Sequence, residues 1–165
     1  MSNASYKLTD GNSLLICPTS FDVDGDFTPK YIISPDKKSL VKDLNKFYSK
    51  EPALYQKQFS HEGFEWIDHG VHQNCVMTYI RKGENEKDNI IIILNLTPVP
   101  RENYRIGLPK AGTLKEVFNS DDQKYFGTSN YKNTKLTSEE KEWNNREHSV
   151  ELNLPPLGML AFKFK

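Results

Sequence analysis

The chain carries one run of five consecutive apolar residues, Ile90 to Leu94, and two prolines follow it closely. Four of the five are isoleucine, whose β-branched side chain favours extended backbone, and the run is too short for a buried helix. It therefore predicts a strand deep in a sheet. Because Pro98 and Pro100 cannot donate to a sheet ladder, strand pairing should stop near Thr97 and resume near Tyr104.

Alternating apolar positions elsewhere predict further short strands. Cys75 to Ile80 is apolar on both faces, like the isoleucine run, and the charged stretch 82–89 should join the two as a hairpin loop. Val150 to Leu154 alternates apolar and polar residues, and Leu160 to Phe164 forms a last apolar edge after a proline break. About seven short strands, with turns roughly every ten residues, indicate an antiparallel β-sandwich with Greek-key links.

An amphipathic helix is predicted before the strands. Ser34 supplies a capping hydroxyl and Pro35 suits the first helical position, so the helix should run from Pro35 to about Ser49. Its apolar stripe consists of Leu40, Val41, Leu44, Phe47 and Tyr48. Since strands that are apolar on both faces need a second cover, this helix or a partner should lie across the sheet.

These patterns divide the chain into three parts. Residues 1–33 are mostly polar, begin with a tag-like Ser2–Ala4 and include a short predicted strand at Leu14–Cys17, and they are left unassigned. Residues 34–56 form the helix with its final turn, and residues 57–165 form the β-sandwich domain. The predicted class is therefore mainly β, with one helix preceding the sandwich.

Composition narrows the possible functions. The 165 residues have a formal net charge of +0 with acids and bases mixed along the chain, so nothing points to nucleic acid or an anionic membrane surface. The two cysteines lack metal-like spacing, and there is neither a leader nor a long apolar run. We expect a soluble cytoplasmic protein without a cofactor.

Two stretches resemble metal sites only superficially. Asp22 to Asp26 carries closely spaced carboxylates, but an EF-hand loop starting there would need glycine and glutamate where Phe27 and Ile33 stand. The histidines at positions 61, 69 and 72 do not have zinc-type spacing. We therefore predict a solvated acidic turn, solvated histidines and no metal.

A set of ordered stretches between residues 40 and 157 carries a family resemblance. They are Leu40–Asn45, Glu51–Leu54, Glu62–Asp68, Asn95–Arg101, Tyr104–Gly107, Glu116–Asp121, Gly127–Asn130, His148–Ser149 and Leu152–Leu157. In order and content they resemble the C-terminal part of bacterial 1,4-α-glucan (glycogen) branching enzymes of the α-amylase superfamily.

The resemblance implies a catalytic (β/α)₈ barrel, whose last helix looks like Pro35–Ser49, followed by a C-terminal all-β domain. The whole enzyme would cut an α-1,4-glucan and transfer the cut end to a 6-hydroxyl through a covalent glycosyl intermediate. Two segments depart from the family pattern. Residues 1 to about 37 do not match the late barrel sequence that the family would have there, and Tyr131–Lys135 stands where the family has a glycine-rich stretch. The partner implied for this chain is the catalytic barrel.

Catalysis by this chain alone is not predicted. Retaining transfer needs a carboxylate nucleophile and a carboxylic acid about 5 Å apart on a rigid scaffold. The family places them on barrel strands, and a barrel takes about 250 residues. Glu62 and Glu65 flank an aromatic strand, but their odd spacing sends them to opposite faces. We predict no catalytic residue and no independent enzyme.

Glucan binding is the alternative to a purely structural role. Ser120 to Glu147 is polar and lacks periodicity, and a loop of that length is usually functional or mobile. Aromatic rings stack on the apolar faces of pyranoses, so Trp143, whose neighbours are too polar for a core, is the best candidate to bind α-glucan or glycogen, followed by Tyr125 and Tyr131. Single surface aromatics are also common and can pack across their own loop. The aromatics predicted to lie in the core are Trp66, Tyr79 and Tyr104.

Overall fold

The computed structural model describes residues 35–68, 74–134 and 136–165. These ranges contain one α-helix, α1 (Pro35–Lys50), and eight strands. The strands are β1 (Phe64–Asp68), β2 (Val76–Arg81), β3 (Ile90–Asn95), β4 (Arg101–Leu108), β5 (Thr113–Asn119), β6 (Leu136–Thr137), β7 (His148–Leu154) and β8 (Gly158–Phe164). The expectations for residues 1–33, for the Ser34 cap and for His69 and His72 fall outside the described residues.

The strands form two antiparallel sheets of unequal size. The larger sheet has the order β1-β2-β3-β8-β5-β6, and the smaller one pairs β4 with β7. The chain leaves the larger sheet after β3 to form β4, returns to it for β5 and β6, leaves it again for β7, and returns for β8. The predicted antiparallel sandwich with crossing Greek-key links is confirmed.

The proline-rich corner between β3 and β4 carries the chain from one sheet to the other. Pairing ends at Asn95 and resumes at Arg101, slightly earlier than the Tyr104 expected from the sequence. The register of β4 against β7 then shifts between Arg101 and Tyr104, where Asn103 has a positive φ of 52°. A bulge therefore starts β4, and asparagine is one of the few residues that accept this conformation easily.

Two apolar cores lie on the two faces of the larger sheet. The core between the sheets centres on fully buried residues such as Ile91, Ile93 and Phe162. On the other face, Ile90 and Ile92 belong to a second core that includes the helix residues Leu40, Leu44 and Phe47. The isoleucine run is thus covered on both sides, and α1 supplies the second cover that its pattern required.

Two residues of the helical stripe do not join this core. Val41 and Tyr48 are 50% and 45% exposed, although their positions place them beside the partly buried residues of α1 that contact the sheet. Tyr48 instead donates a hydrogen bond to Gln58 Oε1 at 2.9 Å. The face of α1 that meets the sheet is therefore narrower than the predicted stripe.

The prediction that Trp66 belongs to the core is wrong. Its side chain is 40% exposed on the outer face of β1, where it makes an edge contact with Phe64 at 4.8 Å between ring centroids and lies 5.9 Å from Tyr79. Because β1 is the edge strand of the larger sheet, its outer face lies beyond the helix. Tyr79 and Tyr104 are half-buried against the two cores, as expected.

Candidate functional site

Trp143 lies at the start of a tight two-residue turn, which we call the Trp143 turn (residues 143–146). The backbone N–H of Trp143 donates to the carbonyl of Arg146, and the reverse bond forms as well, both at 3.0 Å. Asn144 and Asn145 between them have φ values of 51° and 56°, the left-handed conformations that a type I′ turn requires. The predicted loop is therefore an ordered hairpin at this point.

The Trp143 turn is fixed to the sandwich through the side chains of Asn144 and Arg146. The backbone N–H of Gly107 in β4 donates to Asn144 Oδ1 at 2.9 Å. The guanidinium of Arg146 pairs with the Glu65 carboxylate and also donates to the Trp66 carbonyl at 3.4 Å. A Cβ at position 107 would lie 2.3 Å from the Trp143 carbonyl oxygen, so glycine is needed for this close approach.

A buried arginine of β4, Arg105, joins the residues that precede the Trp143 turn in the chain to the smaller sheet. Arg105 is only 9% exposed, and its guanidinium donates to Glu139 at 2.8 Å, Ser149 at 2.9 Å and Glu151 at 2.5 Å. Burial opposes its charge, but the hydrogen bonds to Glu151 and Glu139 raise the pKa of Arg105 above its ordinary value. Residues 138–147 are thereby held as a strap across β4 and β7.

The strap and β4 enclose a groove of about 590 Å³, which we call the Trp143 groove. Its lining includes Asp68, Arg101, Tyr104, Lys141, Trp143 and Asn144. Trp143 is 44% exposed there. Burial raises the pKa of Tyr104, and the nearby Asp68 carboxylate adds to that shift, so this hydroxyl keeps its proton and can both donate and accept.

Tyr125, the second predicted sugar-binding aromatic, lies against α1 instead. Its ring stacks on Phe118 at 5.9 Å, and its hydroxyl donates to Asp43 Oδ2 at 2.9 Å. That hydrogen bond lowers the pKa of Asp43, with Lys124 adding to the effect. Tyr125 thus fastens the helix to the sandwich, and it does not line the Trp143 groove.

Tyr131 is also placed away from the Trp143 groove. It is half-buried, and its carbonyl accepts from Asn133 Nδ2 at 3.4 Å. The side-chain nitrogen of Asn133 also donates to Glu116 Oε2 at 3.3 Å and to the Asn153 carbonyl at 3.0 Å, and these bonds fix its position. Burial raises the pKa of Glu116 against the opposing effect of the Asn133 and Asn119 hydrogen bonds. Of the three predicted aromatics, Trp143 alone lines this groove.

A second candidate surface is apolar and lies between α1 and the larger sheet. It is a groove of about 310 Å³, which we call the apolar groove, lined by Leu40, Leu44, Leu94, Leu96, Leu157 and Met159. Leu96 and Leu157 are 55% and 71% exposed. Leu157 has a φ of 46°, a costly conformation for leucine, and its N–H donates to the Thr97 carbonyl at 2.8 Å. The turn before β8 thus holds a leucine outward.

The paired carboxylates needed for glycosyl transfer do not converge at Glu65. This residue forms ion pairs with Lys82 and Arg146. Burial would raise the pKa of Glu65, but hydrogen bonds from the two cations outweigh it and lower that pKa below the ordinary value. A general acid needs the opposite shift. Glu62 is exposed and pairs with Lys57 at 3.9 Å.

Within 35–68, 74–134 and 136–165, no group of three or more His, Cys, Asp or Glu side chains is arranged to hold a metal ion. Among these same residues, α1 is too short and too polar to span a bilayer.

Sequence reasoning missed the polar residues of the Trp143 groove. Arg101, Asn103 and Arg105 alternate in the sequence, but the bulge at Asn103 breaks that alternation, so that Arg101 lies opposite Leu154 and Arg105 opposite Glu151, on different faces of β4. The Asn144–Asn145 pair between Trp143 and Arg146 is a short-range signal for a hairpin turn. The sequence offers no comparable signal that Gly107 and Glu65 anchor this turn.

The structure defines a class of protein: an antiparallel two-sheet domain with a helix across one face and an exposed apolar groove beside that helix. The family model described as "Alpha amylase, C-terminal all-beta domain" matches residues 66–165. The chain therefore belongs to this family.

Similar curated proteins are branching enzymes. The chain is 48% identical over 126 residues to the 1,4-alpha-glucan branching enzyme GlgB of Cellvibrio japonicus, a match that covers 76% of this chain and 17% of the relative. The GlgB proteins of Hydrogenovibrio crunogenus and Aquifex aeolicus are 44% and 40% identical over 76% and 75% of the chain, and over 17% and 20% of their own lengths. The chain thus spans a fifth or less of these relatives.

A solved structure of an alpha-amylase from H. orenii also aligns with the chain. The alignment has a TM-score of 0.47 and 17% identity, and covers 87% of this chain and 24% of that structure.

Proposed function

We propose that this chain acts as the non-catalytic C-terminal β-domain of a cytoplasmic glycogen branching enzyme, with residues 34–56 as the last helix of the catalytic barrel and residues 57–165 as the β-domain. The parent enzyme would transfer α-1,4-glucan chains to α-1,6 positions. The domain would stabilise the barrel by packing its apolar groove against it. The identity to branching enzymes, at 40% to 48% over three quarters of the chain, supports this assignment.

The exposed apolar groove is the observation that carries the proposal. Leu96 and Leu157 project from two neighbouring turns into the same groove, and exposed leucines of this kind mark surfaces that another body covers. The occupant we commit to is the catalytic barrel, because the relatives are several times longer than the stretch they share with this chain. The helix that would complete the barrel forms one wall of the groove.

Association with a truncated relative tests this proposal. The chain should bind the Cellvibrio japonicus enzyme from which the matched stretch has been deleted, and should raise its thermal stability or restore branching. Leu157→Asp should weaken binding about tenfold or more, since it puts a charge at the centre of an apolar contact. Titration calorimetry and a branching assay measure both effects.

Phe126→Asp is the matched control for that experiment. Phe126 is also apolar, 61% exposed and in the left-handed region, with a φ of 62°, but it does not line the apolar groove. Its substitution should leave binding unchanged. No association at high concentration, or equal losses in the two variants, would refute the docking surface.

A second candidate function is a glucan-binding accessory module that acts through residues 120–147. The exposure of Trp143 on an anchored turn supports it, whereas Tyr125 is already engaged by α1. Glycogen cast in a native gel should retard the chain if the module binds glucan. Identical mobility with and without glycogen would remove this candidate.

A further inference from the structure

A basic pocket lies at the edge of β5, and we call it the lysine pocket. Its volume is about 400 Å³, and its lining includes Thr113, Lys115, Glu116, Lys132, Thr134 and Lys165. We propose that it binds a phosphate monoester of the size of a sugar phosphate. None of its lining residues lines the apolar groove or the Trp143 groove, so the proposal is independent of barrel docking and of glucan binding.

The lysine pocket opens where the outer edge of β5 loses its strand neighbour. β6 pairs with β5 only at Thr113 and Leu114, and the chain before β6 lies beside the edge that continues. There the backbone N–H of Asn133 donates to Glu116 Oε2 at 3.4 Å. The backbone N–H of Lys165 donates to the Thr113 carbonyl at 2.9 Å. Because these bonds already fix the walls of the pocket, a ligand does not have to order them.

Three lysines line this pocket without an acidic partner. Among the residues that the structure describes, Lys115, Lys132 and Lys165 form no ion pair. All three residues are exposed. Their ammonium groups are therefore available to an anion from solution.

The strand register brings a fourth cation close to this region. Lys115 of β5 lies directly opposite Lys163 of β8, and like charges in this position destabilise a sheet. Glu51 neutralises Lys163 at 2.7 Å. No described acid does the same for Lys115, so an anion bound beside Lys115 would relieve the remaining repulsion.

Glu116 contributes the carboxylate side chain of the pocket lining, and its oxygens are already engaged. Asn119 Nδ2 donates to Oε1 at 3.2 Å, and Asn133 Nδ2 donates to Oε2 at 3.3 Å. Burial raises the pKa of Glu116, which further weakens its competition for the lysines. Three ammonium groups thus face one carboxylate side chain, and the lining keeps a positive surplus.

A phosphate monoester matches this surplus in charge and in size. It carries a charge of about −1.5 to −2 at neutral pH and presents three strong acceptor oxygens. Lysine ammonium groups bind phosphate as point charges, and the hydroxyls of Thr113 and Thr134 can bond to the sugar. A volume of about 400 Å³ falls within the range of small-ligand clefts.

The test is an NMR titration of the full chain with glucose 6-phosphate at about pH 7.5, where the phosphate is mainly doubly charged, and at low ionic strength. The backbone amide signals of residues 113–116 and 132–134 should shift together and saturate, with a Kd of about 1 mM or tighter. Glucose 6-sulfate, which has the same size but a single charge, should bind about fivefold more weakly or worse. Equal binding of the two esters, or no saturation with glucose 6-phosphate, would overturn the proposal.

The test variant combines Lys115→Gln, Lys132→Gln and Lys165→Gln and should weaken glucose 6-phosphate binding about tenfold or more. The matched control removes the same charge from three exposed lysines outside the pocket, through Lys38→Gln, Lys87→Gln and Lys141→Gln. It should bind within about twofold of the unaltered chain, since distant exposed charges are screened. All six substitutions are at exposed positions, so both variants should fold. Equal losses in the two variants would show attraction by net charge alone and would refute the site.

Discussion

Phe162→Ala should reduce the free energy of unfolding by about 3–5 kcal/mol, the usual cost of replacing a fully buried phenylalanine by alanine. Phe162 has no exposed surface and lies in β8, between β3 and β5 in the larger sheet. It belongs to the core between the two sheets. Removing its ring would leave a cavity that the surrounding isoleucines and leucines cannot fill.

Denaturant unfolding followed by circular dichroism measures this loss as a lower midpoint at unchanged slope. Phe59→Ala is the matched control, because Phe59 is 97% exposed and should change stability by no more than about 0.5 kcal/mol. Equal stability of the two variants would contradict the assignment of Phe162 to the core.

The strands were predictable where backbone chemistry and side-chain pattern agree. The isoleucine run is compatible with one structure, a buried central strand, and the prolines after it cannot donate the hydrogen bonds that further strand pairing needs. That combination yielded β3, the corner and β4 with only a small error at the start of β4. The error arose because a bulge at Asn103 lets pairing begin before the alternation becomes regular.

Trp66 shows what alternation cannot reveal. The pattern correctly puts Phe64 and Trp66 on one face of β1, but whether that face is covered depends on how far α1 reaches across the sheet. Since β1 is an edge strand, its outer face lies beyond the helix and Trp66 remains 40% exposed. Strand order is a long-range property that no local spacing encodes.

The Trp143 groove was predicted only through its tryptophan. Polar neighbours identified Trp143 as a surface residue, yet the same reasoning selected Tyr125, which packs on Phe118 and bonds to Asp43. Asp43 lies 82 residues earlier in the chain, so the sequence around Tyr125 carries no trace of that contact. Composition of a loop indicates exposure, but it does not say which aromatic has a partner.

The two candidate surfaces use different sheets. The apolar groove lies between α1 and the larger sheet, whereas the Trp143 groove follows β4 of the smaller sheet and the strap above it. Among the residues that line them, none is shared. A domain docked through Leu96 and Leu157 would therefore keep Trp143 available, and the two proposals can hold together.

Asn95→Asp should cost roughly 2–4 kcal/mol of stability at neutral pH, because Asn95 is the buried link that holds the corner between the sheets. It is 1% exposed, and its amide nitrogen donates to the carbonyls of Val99 at 2.8 Å and Pro155 at 2.9 Å. Its Oδ1 accepts from Thr97 through both the backbone N–H and the hydroxyl, at 3.1 Å and 2.8 Å. An aspartate would keep the Thr97 bonds but turn its second oxygen toward two carbonyl oxygens.

The loss should depend on pH in a defined direction. Burial beside carbonyl oxygens raises the folded-state pKa of the new carboxyl above its unfolded value of about 3.9, so the folded state holds the proton more tightly. The stability of Asn95→Asp relative to the unaltered chain should therefore fall as the pH rises from the unfolded pKa through the raised folded-state pKa. It should partly recover near pH 4, where the protonated acid donates to one carbonyl. Denaturant unfolding of both proteins across this pH range measures the difference in their unfolding free energies.

Asn145→Asp is the control, because position 145 is an exposed turn position and the variant should show neither effect. A pH-independent loss at position 95 would mean that the carboxyl escapes to solvent. Because Leu157 bonds to Thr97, the same variant should also loosen the apolar groove and weaken association with the truncated enzyme.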